Sequence, residues 1–359
     1  MIQNIGFKQL WRDNYVGIRK VALTLLLSLG LSILLVLLFT KDNPFTVFGS
    51  LLRGALVGKR NIGTTLASTT TLLLNAIAFS IANNAGFFNT GIDGDMYMGA
   101  LAATLVGIYG QGIPAPILVT LCVLAALAAG MLWALIPGLL NVHLNANVIC
   151  VCIMMNSVAN YICNFFVVGP LSAGKTVPQS KDVAVRFVQI LPPSRLNIGI
   201  FFAILIWILV LWVITKTTLG YELKTLGQNS LHAQYAGFNY KMSGLKAMMI
   251  SGAISGFAGC IEILGNYGYF LNEFASGLGS RGLLAALIVR CNIWLLPIAA
   301  FFIAALSSGS ITMQAMTKVP KSLADTLTAL FIILATMETL FLFDKRKKKP
   351  SAAKGDAHG

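Results

Sequence analysis

Apolar runs dominate this chain. They occupy residues 21–40, 62–85, 94–108, 115–136, 148–168, 198–214, 244–264, 277–289, 293–311 and 323–343. A helix needs about 20 such residues to cross the hydrocarbon core of a bilayer. Inside that core each backbone amide and carbonyl must be satisfied by its own helix or by neighbouring protein. The pattern therefore predicts an all-α, polytopic membrane protein with about ten transmembrane helices. Hydrophobic residues make up 57% of the 359 positions and charged residues 11%, whereas soluble domains are about a quarter charged. That excludes a soluble enzyme, a disordered chain and a disulfide-stapled scaffold. The formal charge of +14 then reads as basic residues held at one membrane face, not as a nucleic-acid footprint.

Lys8, Arg12, Arg19 and Lys20 precede the first run, and Lys345 to Lys349 form a basic block after the last. The first run is too long for a signal-peptide core and no A-x-A-like cleavage site follows it, so it is read as a retained span. An even number of spans places both basic ends on the same, cytoplasmic side. The expected organisation is a cytoplasmic segment 1–20, a transmembrane domain 21–343 and a basic cytoplasmic tail 344–359. Loops 41–61 and 170–197 fall outside, and loop 215–243 falls inside.

Gly169 to Thr176 matches G-x-x-x-x-G-K-T. A phosphate-binding loop needs a strand before it and a helix after it. Here a 148–168 span precedes the motif and Pro178 follows it, so the match is coincidental and no ATP hydrolysis is expected. His143, His232 and His358 have no metal-ligand spacing, and the six cysteines lie mostly inside apolar runs. The chain is expected to bind no metal or cofactor and to be no enzyme.

Acids in or beside spans are costly in lipid and mark candidate functional positions. Asp93 and Asp95 lie in Asn89-Thr-Gly-Ile-Asp-Gly-Asp95, Glu262 near the end of run 244–264, and Glu338 in the last span. Runs 94–108 and 277–289 are short and start in glycine-rich sequence, a pattern that in transporters marks the substrate route. Phe88, Asn89, Asp93, Asp95, Asn156 and Glu262 are therefore the candidate pathway residues. Gly252, Gly256 and Gly259 form a small-residue seam suited to close helix approach. In the cytoplasmic loop, Asn229-Ser230 can cap a short helix 231–236 that Gly237 ends in the left-handed conformation. Leu231 and Tyr235 share one face of it, which suits docking to a cytoplasmic partner.

Several segments, in order, resemble permease subunits of the nucleoside and simple-sugar class of bacterial ABC importers. Residues 85–96, AGFFNTGIDGDM, are similar to that family's "AGLFNIGAEGQM", with Asp at both its Glu and Gln positions. Ile153-Met-Met-Asn156 resembles its "MLN", and Asn147 stands where a Glu usually precedes that span. Gly220 to Gly237, including Gly227, Asn229, Leu231 and Tyr235, resembles the cytoplasmic coupling segment. Residues 251–265 resemble the next span with its buried Glu. Residues 277–292 resemble "GYGFDGIAVALLGRNN", with Arg281 in place of the Asp, Val289 of a Gly and Cys291 of an Asn. The resemblance implies two inverted halves, as in cobalamin-importer permeases, in a bacterial inner membrane. It implies a second, paralogous permease, a cytoplasmic ATPase carrying ATP and Mg, and a substrate-binding lipoprotein or periplasmic protein as partners. The solute would be a nucleoside, a simple sugar or a riboflavin-like compound. On the residues alone, an ion-coupled carrier using Asp93, Asp95 and Glu262 as ion sites stands beside this reading. A membrane enzyme is disfavoured by the lack of a catalytic constellation.

Overall fold

A computed structural model describes residues 43–229 and 235–317, with isolated positions outside them. The expected spans 21–40 and 323–343, the basic tail and Leu231 lie outside the described residues. The chain divides into two compact units, Leu51–Thr312 and Met1–Ser50 with Met313–Gly359.

The described helices are α1 (Pro44–Leu56), α2 (Lys59–Asn84), α3 (Ile92–Tyr109), α4 (Ala115–Leu144), α5 (Val148–Val168), α6 (Gly199–Lys216), α7 (Thr218–Gln228), α8 (Tyr240–Ile261), α9 (Leu278–Ile288) and α10 (Leu296–Met316). A π-helical turn, Glu262–Tyr267, continues α8. Among the described residues the only strand-like pairing is three isolated bridges. Among the described residues six helices are long and apolar enough to cross a membrane, counting α8 with its π turn. This is a multi-pass helical protein.

The apolar distribution is the reverse of a soluble bundle. The apolar windows of α2 and α8 are each 89% buried, whereas those of α4, α5 and α6 are only 17–28% buried. The buried helices carry the polar residues: Thr65, Thr71, Asn75 and Ser80 on α2, and Ser251 and Ser255 on α8. Outward positions of the outer helices are Leu124, Leu132, Phe165, Leu205 and Trp212. Lipid accepts such a surface without penalty, and polar groups then serve as glue between helices. The glycine seam does what its spacing predicts. A Cβ on Gly252 or Gly256 would overlap backbone of α4, at Gly130 and Ala126, and one on Gly259 would overlap the Met96 carbonyl of α3.

Several boundaries differ from the sequence expectation. α3 starts at Ile92 instead of Gly94, which puts both aspartates in its first turn and gives it 18 residues. It is therefore not short, whereas α9, with 11 residues, is. α4 runs through Pro137 to Leu144, where the apolar run ends at 136. Loop 41–61 holds α1, whose start is Asn43 accepting the Phe45 amide at 3.0 Å. An Asn N-cap followed by Pro at the first helical position is a start signal that the polar context obscured. In the second unit, the end of α10 is closed by the Thr317 hydroxyl donating to the Met313 carbonyl at 2.7 Å. After Val168 the chain leaves α5 without entering another helix, and Ser172 bridges to Ser180, so the G-x-x-x-x-G-K-T stretch has neither flank of a phosphate-binding loop.

Residues 170–197 form an irregular segment that is nonetheless tied down. The Ser180 amide donates to the Phe270 carbonyl and its hydroxyl accepts the Phe270 amide, each at 2.9 Å. Val183 donates to the Gly268 carbonyl at 3.0 Å, Phe187 to Leu264 at 2.8 Å and Ala184 to Gly107 at 3.0 Å.

Candidate solute-binding site

Between α2 and α3 the helix is interrupted. Residues 86–91 run as irregular chain beside α8, so their backbone groups need partners from side chains. Asn89 supplies the hub. Its Oδ1 accepts the Gly91 amide at 2.8 Å, and its Nδ2 donates to Asp95 Oδ2 at 3.1 Å and to Ser251 Oγ at 3.0 Å. Asn89 and Asp95 are both fully enclosed. Asn156 reaches over from α5, its Oδ1 accepting the Gly94 amide at 2.8 Å and its Nδ2 donating to the Thr90 carbonyl at 2.9 Å. It thereby satisfies one of the free amides at the start of α3.

Asp93 does not cap its own helix. Oδ1 accepts the Gly279 amide and Oδ2 the Ser280 hydroxyl, both at 2.7 Å. It thus places a carboxylate at the N-terminus of α9, where the helix dipole favours negative charge. Phe88 is half-buried and packs edge-on against Phe79 at 4.9 Å. It borders an open depression of about 390 Å³ with Asn141, Asn145 and Asn147.

Glu262 lies away from these five. It sits where α8 passes into the π turn, with Oε1 accepting the Thr71 hydroxyl at 2.5 Å and Oε2 the Asn266 amide at 2.7 Å. It lines a cavity of about 260 Å³ with Arg195, Asn266, Tyr267, Phe274 and Arg281. Hydroxyls of Thr64 and Ser68 from α2, and of Ser307 and Ser308 from α10, complete the wall. The Arg195 guanidinium lies over the Tyr267 ring at 5.6 Å, and Phe274 meets Tyr267 at 6.2 Å and 69°. A few converging polar groups on an aromatic wall are the usual make-up of a small-molecule site.

The six sequence candidates thus fall in two places. Phe88, Asn89, Asp93, Asp95 and Asn156 surround the interruption, and Glu262 alone lines the cavity. Asp93 connects them, because α9 carries Leu278 and Arg281 into the cavity wall. Sequence reasoning missed Arg195, Asn266 and Tyr267. The signal was weak: the π turn, which widens the helix and turns Asn266 back to Glu262, has no mark in the residue pattern. Near the end of α7, Gly227 lies so close to Asn84 that a Cβ would overlap its carbonyl. Asn229 closes α7, Gly237 has φ of 87° as expected, and Tyr235 is 88% exposed. Among the described residues no cluster of metal-ligating side chains occurs.

Residues 61–336 match the family described as branched-chain amino acid transport system / permease component. The chain is 31% identical to the guanosine ABC transporter permease protein NupP of Bacillus subtilis, over 94% of this chain and 98% of that one. It is 28% identical to the nucleoside ABC transporter permease protein NupB of Lactococcus lactis, over 68% and 71% of the two chains. It is 28% identical to the glucose ABC transporter permease protein TsgB13 of Haloferax volcanii, over 83% and 82%. The chain belongs to this permease family. It is the membrane-embedded permease subunit of an ABC importer, a non-enzymatic component that works with an ATPase and a substrate-binding protein.

Proposed function

We propose that this permease carries nucleosides, or closely related sugar-containing solutes, and that the cavity around Glu262 is a station on their route. The observation that carries the reading is the cavity's lining. Tyr267 and Phe274 offer aromatic surface to a planar base, and Asn266 with the serine hydroxyls offers partners for ribose. A volume of about 260 Å³ sits just below the roughly 300–1,000 Å³ range of drug-sized pockets, as suits a small solute. The names of the guanosine and nucleoside relatives support the same class. Phe88, Asn89, Asp93, Asp95 and Asn156 hold the broken segment beside the route.

The complete chain has ten spans in two inverted halves, arranged as in cobalamin-importer permeases, within domain 21–343. Both ends and loop 215–243 face the cytoplasm of a bacterial inner membrane. Gly227, Asn229, Leu231, Tyr235 and Gly237 dock on the ATPase, which holds the ATP and Mg. The exposed Tyr235 ring and the contact of α7 with the end of α2 support that placement, because motion there reaches the interrupted segment directly. A paralogous permease completes the pair.

The test is uptake by the complete importer in proteoliposomes. ATP-dependent accumulation of labelled nucleoside, unaffected by collapse of ion gradients, is expected. Uptake of glucose with no uptake of any nucleoside would overturn the solute class.

A further inference from the structure

Arg195 and Arg281 both line the cavity, and neither forms an ion pair. Among the described residues the only one is the exposed Asp182–Arg186 contact at 3.9 Å. Glu262, the acid sharing the cavity, has both oxygens committed to Thr71 and Asn266. Asp93, the acid nearest the start of α9, has both oxygens committed to Gly279 and Ser280. Each guanidinium carries five N–H donors in a fixed plane and no acceptor. Arg195 gives one hydrogen bond to the Tyr267 side chain, and the cavity still presents planar, charged donors against an aromatic wall that can pair with acceptors on an entering solute.

We infer that the Arg281–Arg195 pair makes this cavity selective for nucleosides whose base presents carbonyl and ring-nitrogen acceptors on one edge, as guanosine and inosine do. Adenosine, which presents an amino group beside that ring nitrogen, is disfavoured. The inference rests on the nucleoside reading above and deepens it. A guanidinium pairs bidentately with the O6 and N7 acceptors of guanine. Facing an amino group it meets donor with donor and leaves a desolvated N–H unpaired. Stacking on Tyr267 and Phe274 is common to all bases and sets no preference. Arg195, held over Tyr267 at 5.6 Å, is pre-positioned by that stacking, and Arg281 is pre-positioned by the Asp93 anchor of its helix.

Bidentate base recognition is worth about 1–3 kcal/mol of discrimination, which converts to roughly 5- to 150-fold. The experiment compares initial uptake rates of labelled guanosine, inosine and adenosine by the complete importer, with the same binding protein throughout and its affinities measured separately. Arg281→Leu should lower the oxo-to-amino rate ratio by about tenfold. Arg281→Lys, which keeps the charge and loses the fork, should lower it nearly as far. A variant that fails to assemble is replaced by a second readout in the parent. A thiol at Ser307→Cys should be protected from a maleimide by guanosine and inosine, and not by adenosine. An unchanged ratio in assembled Arg281→Leu and Arg195→Leu overturns the inference, as does equal protection by all three. Stronger protection by guanosine monophosphate than by guanosine overturns it too, since the pair would then read charge and not the base. Failure of the nucleoside reading itself shows earlier and differently, as absence of uptake of all three by the parent.

Discussion

The Asp93 carboxylate and the Gly279 amide meet at 2.7 Å across 186 residues of chain. Through this contact the helix that begins at the interrupted segment holds the start of the short helix bearing Arg281. Asp93→Ala leaves the first amides of α9 without a partner, at a cost of about 1 kcal/mol for a lost cap. Uptake should fall roughly fivefold with the complex still assembled, while Asp93→Asn, which keeps an acceptor, should lose less. Transport assays alongside co-purification of the ATPase measure both. Full uptake in Asp93→Ala would show that the anchor does not matter to transport.

Asn156 accepts the Gly94 amide and donates to the Thr90 carbonyl across the helix boundary. Asn156→Ala strands two polar groups in a poorly solvated place, each costing about 1–3 kcal/mol. The purified complex should melt several degrees lower. Asn156→Asp keeps the acceptor and loses the donor, and should fall between Ala and the parent. Equal melting of all three would mean that water replaces the side chain.

Glycine positions separate by what a methyl group would meet. At Gly256 it would overlap the Ala126 carbonyl, and at Gly49 nothing lies within 4 Å. Gly256→Ala should force α4 and α8 apart and cost about 1–3 kcal/mol, as overpacking does. Gly49→Ala should be neutral or slightly stabilising, since Ala is the better helix former. Detergent thermal stability of the two variants decides it, and a neutral Gly256→Ala would show that the seam is slack.

Cysteine substitution at Tyr235 and at Lys175 tests sidedness. An impermeant maleimide applied to intact cells should label Lys175→Cys and spare Tyr235→Cys. Labelling of Tyr235→Cys from outside would invert the topology. Tyr235→Asp should also uncouple ATP hydrolysis from transport, because a charge in an apolar groove without a partner costs several kcal/mol.

What the residue pattern revealed was governed by period and length. Runs such as 148–168 coincide with α5 because a lipid-facing helix is apolar all round and shows little ambiguity. α3 was misjudged because Asp93 and Asp95 look like a turn. Their helical turn is held by nearby Asn89 on Asp95 and, from distant parts of the chain, by the Gly279 amide on Asp93 and by Asn156 on the Gly94 amide between them. α1 and α7 were hidden in loops because their mixed polarity marks no span. Glu262 stood out in the sequence by its cost in lipid. Its neighbours Arg195 and Arg281, at residues 67 and 19 positions away, come together only through folding, and no local spacing encodes that.

Residues 170–197 are anchored to the π turn and the segment after it, at Leu264, Gly268 and Phe270, by backbone bonds from Phe187, Val183 and Ser180. A partner landing on this segment therefore meets a surface whose shape is already set. Little ordering entropy remains to oppose association, since each immobilised side chain in a mobile loop would cost about 0.5–1.5 kcal/mol at that moment. The segment can also pass a push. It leads through Leu264 to the same turn that holds Glu262, so a load applied to its outer face is borne by the cavity wall.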